Sequence, residues 1–350
     1  MKATYSPYQL TFRSPVLTSR GQMTHKNGYY INIEQDGIIG TGECSFIEGL
    51  SIDDLPSYEN VLKEVCQNIA QIGEVFYQNN SLPLALVADY PSLAFGIEMA
   101  LLDLKNGGKQ QIICPSKFYD GTQSIAINGL IWMGDEAKMQ AEIEEKIEAG
   151  YNCIKIKVAA IDFKEECRLL DIIRKKFNPE QIEIRLDANG GFSEQDVRGK
   201  LKILAQFIIH SIEQPIKPQQ YLLMRSLCEV AIIPVALDEE LIGTYDPSFK
   251  LKLLQTIMPT YIILKPSLLG GLTACDDWIK IAEQLNIKWW ATSALESNVG
   301  LNAIAQWVAT KNPILAQGLG TGELYTHNTT SRLYIEKGRM RSRAFERINT

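Results

Sequence analysis

The chain has 350 residues, with 35 Lys and Arg against 41 Asp and Glu for a net charge of −6, and it is 45% hydrophobic and 22% charged. At about 150 residues per domain this length points to two domains with a sizeable core, and the composition excludes disordered, collagen-like and long coiled-coil chains. An acidic balance with no basic stripe excludes an electrostatic nucleic-acid partner or an anionic lipid surface. In chain order, the start MKATYSPYQLTFRS lacks the apolar stretch of an export signal, so the expected location is cytoplasmic. No uncharged apolar run of about 18 residues follows, so no membrane span is expected. The seven cysteines are scattered, without a C-x-x-C pair or a histidine at zinc spacing, and read as reduced thiols.

Residues 1–115 form an α+β module. Within it, 28–43 read as two short strands around a Gly37 turn, and 57–73 and 91–106 as helices by their apolar spacing. The segments 14–28 and 43–51 are poorly periodic and read as loops, with His25 as an exposed loop residue rather than a base. From about residue 124 a β-rich run alternates with an amphipathic helix. Strands are expected at 124–131, 153–158, 182–187, 208–213, 233–238, 260–265, 288–293 and 314–318. Representative helices fall at 135–149, 162–177, 193–206 with Ser193 as cap, 271–286 and 298–310. Eight such units point to a parallel (β/α) barrel, although a doubly wound open sheet would show the same period.

Barrel enzymes carry their reacting groups at the C-terminal ends of strands. Six successive ends deliver charge here: Lys155 and Lys157, Asp187, Glu213, Asp238, Lys265, and Glu296. Asp187, Glu213 and Asp238 follow one another at intervals of 26 and 25 residues, one per unit. Three adjacent carboxylates repel, and a divalent cation removes the conflict; an all-oxygen donor set suits Mg²⁺, with Mn²⁺ as a substitute, better than zinc. Lys155 and Lys157 lie two apart on a strand, so both project to one side about 6.6–7 Å apart, where repulsion is expected to lower at least one pKa. Three lysines balance three carboxylates, which leaves the metal charge for an anionic substrate. A barrel that only binds, without catalysis, would not be expected to keep so costly a cluster.

The run Lys155-Ile-Lys157, with Asp187-Ala-Asn189, Glu213-Gln-Pro215, Asp238-Glu239 and Lys265-Pro-Ser-Leu-Leu-Gly-Gly271, resembles the enolase superfamily, muconate-lactonizing subgroup, over nearly the whole chain. The resemblance implies a modified (β/α)7β TIM-like barrel over 116–322, an α+β capping domain over 1–115 and a C-terminal segment 323–350 packing back on it. It implies Asp187, Glu213 and Asp238 as Mg²⁺ ligands, Lys157 as the general base and Lys265 as the lysine on the opposite face. The shared step is removal of a proton α to a carboxylate, giving an enediolate stabilised by the metal. The loops 14–28 and 43–51 would close over the barrel mouth.

Within that superfamily, dipeptide epimerases carry an Asp-x-Asp at the end of strand eight to meet a substrate ammonium. This chain has Ala316-Gln-Gly318-Leu-Gly320-Thr-Gly322, without an acid. Arg185 beside Asp187 and Asn189, together with Ser293-Ala-Leu-Glu296-Ser297 and the Gly318 segment, is similar to o-succinylbenzoate synthases of menaquinone biosynthesis. That resemblance implies dehydration of 2-succinyl-6-hydroxy-2,4-cyclohexadiene-1-carboxylate, a small dicarboxylate. Lys155, Arg185, Asn189, Ser293, Glu296, Ser297 and Gly318 are the expected substrate contacts. N-acylamino acid racemase and muconate-type cycloisomerase are the alternative readings, and no quaternary contact is legible.

Overall fold

The computed structural model describes residues 1–18, 21–108, 112–131, 136–159 and 161–344. Strands β1 (Lys2–Thr18) and β2 (Gly21–Gln35) form a long antiparallel hairpin with a register shift between Thr11 and Val16, and β3 (Ile38–Cys44) pairs on the far side of β2. The expected strands around Gly37 are therefore present and longer. The expected loop over 14–28 is corrected: its described residues belong to β1 and β2, and His25 is an exposed strand residue, while residues 19–20 lie outside the described ones. Ile31 and Ile33 point inward from β2 to the main core of this unit, whereas the distal part of the hairpin packs Phe12, Val16 and Met23 into a small separate cluster with Tyr325 that no long apolar run announces.

Four helices follow: α1 (Tyr58–Gln67), α2 (Ile69–Asn79), α3 (Leu84–Asp89) and α4 (Pro91–Lys105). The single helix expected over 57–73 breaks at Asn68, whose N–H closes α1 on Glu64 O and Val65 O. Helix α4 is apolar nearly all round because it is wedged between two cores. Ile97, Ala100 and Leu104 face the three-stranded sheet, whereas Phe95 and Met99 join the larger core of the second unit. Glycines permit the approach to the sheet: a Cβ on Gly42 would stand 1.9 Å from Gly96 O.

The second unit alternates strand and helix: β4 (Ile125–Ala126), β5 (Gly129–Ile131), α5 (Glu136–Glu148), β6 (Cys153–Lys157), α6 (Phe163–Lys176), β7 (Glu183–Asp187), α7 (Val197–Leu204), β8 (Ser211–Glu213) and α8 (Tyr221–Val230). It continues with β9 (Val235–Leu237), α9 (Pro247–Ile257), β10 (Tyr261–Leu264), α10 (Pro266–Leu269), α11 (Leu272–Gln284), β11 (Lys288–Ala291) and α12 (Asn298–Thr310). Strands β5 to β11 are parallel neighbours in sequence order. The expected eighth strand shrinks to Gln317 and Gly318, and these two residues close the ring. Gln317 N–H donates to Ala126 O at 2.8 Å and Asn128 N–H to Gln317 O at 2.9 Å; Gly318 N–H donates to Ala291 O at 2.8 Å and Ser293 N–H to Gly318 O at 2.9 Å. The choice left open by the periodicity, barrel or open sheet, is thus decided by four hydrogen bonds.

The C-terminal stretch divides its contacts. Tyr325 bridges Phe12 of β1, while β12 (Leu333–Glu336) and β13 (Arg339–Ser342) form a hairpin that extends β4. Residues 345–350 lie outside the described ones.

Candidate active site

Side-chain alternation on three adjacent strands builds the site. Ile154 and Ile156 on β6, Ile184 and Leu186 on β7, and Ile212 on β8 face outward into the helix-covered core. Their alternates, Lys155 and Lys157, Arg185 and Asp187, and Glu213, therefore face the barrel interior. Register places Lys157 opposite Asp187, and Asp187 opposite Glu213, in one layer at the C-terminal rim.

In that layer Lys155 Nζ donates to Glu213 Oε2 at 2.6 Å and lies 2.9 Å from Asp187 Oδ2. Lys157 Nζ donates to Asn189 Oδ1 at 2.6 Å and to Asp187 Oδ2 at 3.1 Å. Lys265, just beyond β10, is ion-paired with Asp238, just beyond β9. All three carboxylates are at most 2% exposed. Asn189 takes a positive φ of 44°, which turns its N–H back onto Asp187 Oδ1 at 3.1 Å and its amide between Lys157 and Glu239. Such strain in a non-glycine residue is concentrated at functional sites.

Lys155, Lys157, Asp187, Asn189, Lys265, Ser293 and Gly318 all line one pocket at the rim, together with Asn128, Leu130, Thr292, Leu295, Gly320 and Thr321. Ile47 and Leu50 of the cap close it from above, which brings the expected loop 43–51 over the barrel mouth. The pocket contains about 920 Å³ of empty space including its open side. Glu213 and Asp238 stand behind the lysines rather than on the wall.

Three expected substrate contacts lie elsewhere. Arg185 sits one layer deeper, where its guanidinium stacks 4.3 Å from the Trp290 ring and donates to Glu183 Oε1 at 2.7 Å and Ala316 O at 2.8 Å; it plugs the barrel floor. The two-residue strand period that brings Asp187 to the rim puts Arg185 below it. Glu296 turns away from the pocket and accepts from Ser267 Oγ and Ser293 Oγ at 2.5 Å and from Ala294 N–H at 2.7 Å. Ser297 caps α12 and donates to Glu43 Oε2 of the cap at 2.5 Å.

Two residues were missed as site residues although both stand in the quoted runs. Glu239 lines the pocket, so a fourth carboxyl group joins the three expected beside the three lysines. Gln214 uses its side-chain carbonyl to accept from Asp238 N–H and Glu240 N–H, each at 3.2 Å, and so fixes the turn that presents Asp238. The signal for both was adjacency to a named acid.

The electrostatics also differ from expectation. Burial alone would lower the Lys155 pKa, but Asp187, Glu213 and Asp238 override it and hold the ammonium well above its ordinary value. Lys265 is likewise held up, by Asp238, Glu213 and Glu239 acting against burial. Of the Lys155 and Lys157 pair, Lys155 is thus raised rather than lowered. Burial opposes ionisation of Asp187, yet Lys155, Lys157 and Lys265 hold its carboxyl far below the usual range. Glu213 goes the other way: burial and then Asp187 raise it well above an ordinary carboxyl. Burial and Asp238 push Glu239 up to about 7.

As to metal, lysine ammoniums stand between the carboxylates, and among the described residues no three Asp, Glu, His or Cys side chains are placed so as to hold an ion. The donor chemistry nonetheless fits a hard cation. Asp187, Glu213 and Asp238 offer only oxygen, and Glu213 Oε1 is buried without a hydrogen-bond partner, a state that costs free energy unless a donor or cation reaches it.

Residues 138–344 match the family model described as Enolase C-terminal domain-like, and residues 1–104 match that described as MenC, N-terminal domain. An o-succinylbenzoate synthase of Desulfotalea psychrophila is 44% identical over 97% of this chain and 98% of its own. The crystal structure of MenC from Desulfotalea psychrophila LSv54 superposes with a TM-score of 0.85 and 41% identity, covering 97% of this chain and 99% of that one. Muconate lactonizing enzyme from Pseudomonas putida shares the fold with a TM-score of 0.78 at 18% identity, covering 97% and 93%.

Proposed function

We propose, from the premise that this chain belongs to the o-succinylbenzoate synthase family of the enolase superfamily, that it dehydrates 2-succinyl-6-hydroxy-2,4-cyclohexadiene-1-carboxylate with Mg²⁺. The observation that carries the reading is a pocket with lysines on opposite walls. Lys157 comes from β6 and Lys265 follows β10, four strands apart around the ring, and both line the same space.

Asp187, Glu213 and Asp238 would hold Mg²⁺, which when bound supplies a Lewis acid for the substrate carboxylate. Lys157, as the neutral amine, takes the proton α to that carboxylate, and the electron pair of the broken C–H bond enters the carboxylate-conjugated ring. The resulting ammonium of Lys157 returns its proton to the hydroxyl on the same face as the C–O bond breaks. Water leaves, the ring becomes aromatic and the lysine is again neutral. Asn189 Oδ1 aims the Lys157 amine through both transfers.

Lys265, ion-paired with Asp238, serves as the ammonium that stabilises negative charge developing on the opposite face, whereas N-acylamino acid racemisation needs a second base there. The Gly318 and Gly320 wall lacks an acid to meet a dipeptide ammonium, while Thr292, whose buried hydroxyl has no partner, and Asn128 present neutral polar groups for the succinyl arm.

The test is loss of cyclohexadiene absorbance when purified protein and Mg²⁺ meet this substrate. Absent turnover, or faster racemisation of an N-acylamino acid, would refute the proposal.

A further inference from the structure

Two carboxylates of the cap are buried at its boundary with the barrel and take no part in the chemistry above. Glu43 on β3 is 0% exposed and Glu98 on α4 is 3% exposed. Each is satisfied by N–H and O–H donors. Glu98 accepts from Leu272 N–H at 2.6 Å, from Thr273 N–H at 3.0 Å and from the Thr273 hydroxyl, all at the start of α11. Glu43 accepts from Ser297 N–H and Gly300 N–H at 2.8 Å and from Ser297 Oγ at 2.5 Å, at the start of α12, and from Tyr8 OH of β1 at 2.5 Å.

We propose that Glu43 and Glu98 are positioning residues: carboxylates of one domain that cap two helices of the other, and thereby hold the barrel loops that carry Ser293 and Lys265. Only the kinetic consequence rests on the function proposed above.

The linkage is short on both sides. Leu268 N–H and Leu269 N–H donate to Lys265 O at 2.9 and 3.0 Å, and Gly271 N–H donates to Pro266 O at 2.8 Å. Residues 265–272 are thus wound into one unit, and what fixes Leu272 also fixes the backbone of Lys265. On the other side, Glu296 adjoins Ser297 and binds both Ser267 and Ser293, tying the two loops together. The backbone is shaped to receive the carboxylates. A Cβ on Gly271 would lie 2.2 Å from Glu98 Oε2, and one on Gly300 would lie 3.0 Å from Glu43 Oε2.

Negative charge at a helix N-terminus is favourable, and an acceptor-only carboxylate can satisfy every donor there, whereas an amide would turn N–H groups toward N–H groups. Burial pushes Glu98 up to about 7, so keeping it ionised at neutral pH costs stability that glutamine would not. Its partner Leu272 is seven residues from Lys265, so Glu98 places the reactive loop, where a 1 Å error costs about a hundredfold in rate.

The experiment combines amide hydrogen exchange with steady-state kinetics on the full-length Glu98→Gln protein at about pH 8, where the wild-type carboxylate is ionised. Expected are exchange over residues 266–273 faster by about tenfold with 183–187 unchanged, kcat lower by about tenfold or more, KM within about threefold and a thermal midpoint no lower than wild type. Glu43→Gln should give the same pattern over 293–300. Exchange unchanged over 266–273, faster exchange with kcat retained, or kcat and thermal midpoint falling together would each overturn the proposal. Should Glu98→Gln not fold, Thr273→Ala removes one donor and keeps the carboxylate, and the same readouts decide on a smaller scale. A wild-type protein inactive on the cyclohexadiene would refute the proposed function, while exchange would still decide whether Glu98 holds the loop.

Discussion

Replacing Lys157 with alanine separates chemistry from most of its effect on stability, because the buried one of its two hydrogen-bond partners, Asp187, keeps other donors. Asp187 Oδ2 keeps Lys155 at 2.9 Å and Asp187 Oδ1 keeps the Asn189 N–H at 3.1 Å. Only Asn189 Oδ1 loses its donor, at a pocket wall where water replaces it. The expected loss of stability is then that of one charge-assisted hydrogen bond, about 1.5–3 kcal/mol. Loss of a positioned acid–base group costs about 10²–10⁴ in rate, and here one amine serves as base and then as acid, so the upper end applies. Four decades correspond to about 5 kcal/mol on the barrier. The assay is the decay of cyclohexadiene absorbance at saturating Mg²⁺, beside chemical denaturation of both proteins. Turnover within tenfold of wild type, or unfolding that accounts for the lost rate, would refute the role of Lys157.

Other expectations follow from the same geometry. Lys155→Met removes the ammonium shared by Asp187 and Glu213 and should destabilise by about 3–5 kcal/mol; because the Glu213 pKa is already raised, the deficit against wild type should widen as pH rises above the ordinary carboxyl range, as denaturation at two pH values would show. Exhaustive chelation should abolish turnover without unfolding the protein, and readdition of Mg²⁺ or Mn²⁺ should restore it; free metal at about 100 times Kd should add about 2.7 kcal/mol to the unfolding free energy. Glu98, raised from 4.5 to about 7, contributes about 3 kcal/mol of stability that is present below about pH 4.5 and lost as pH rises through about 7. The stability difference between wild type and Glu98→Gln should follow that window, and a pH-independent difference would contradict it.

The ionic side chains proposed here to react were legible along the chain because strand-end chemistry is local. A lysine pair two apart must share a face, and one acid per βα unit must reach one rim, whatever the surrounding sequence does. Asn189 and Ser293, which the family resemblance implied as substrate contacts, both line the pocket. Arg185 shows the limit: period two puts it on the interior face with Asp187, but nothing local says that Trp290 and the Ala316 carbonyl wait one layer below. Glu296 and Ser297 show it too, since their hydrogen-bond partners lie at Ser267 and Glu43, distant in sequence.

What the sequence by itself determined is the alternation of strands and helices and the set of ionic side chains delivered to the strand ends, because both depend on spacings of a few residues. Tertiary structure alone decided that Gln317 and Gly318 close the ring, that Glu239 brings a fourth carboxyl group to the pocket, and that cap carboxylates reach α11 and α12. Those facts depend on which groups satisfy one another's charge and hydrogen bonds across 20 to more than 250 residues of chain, and only packing brings such groups together.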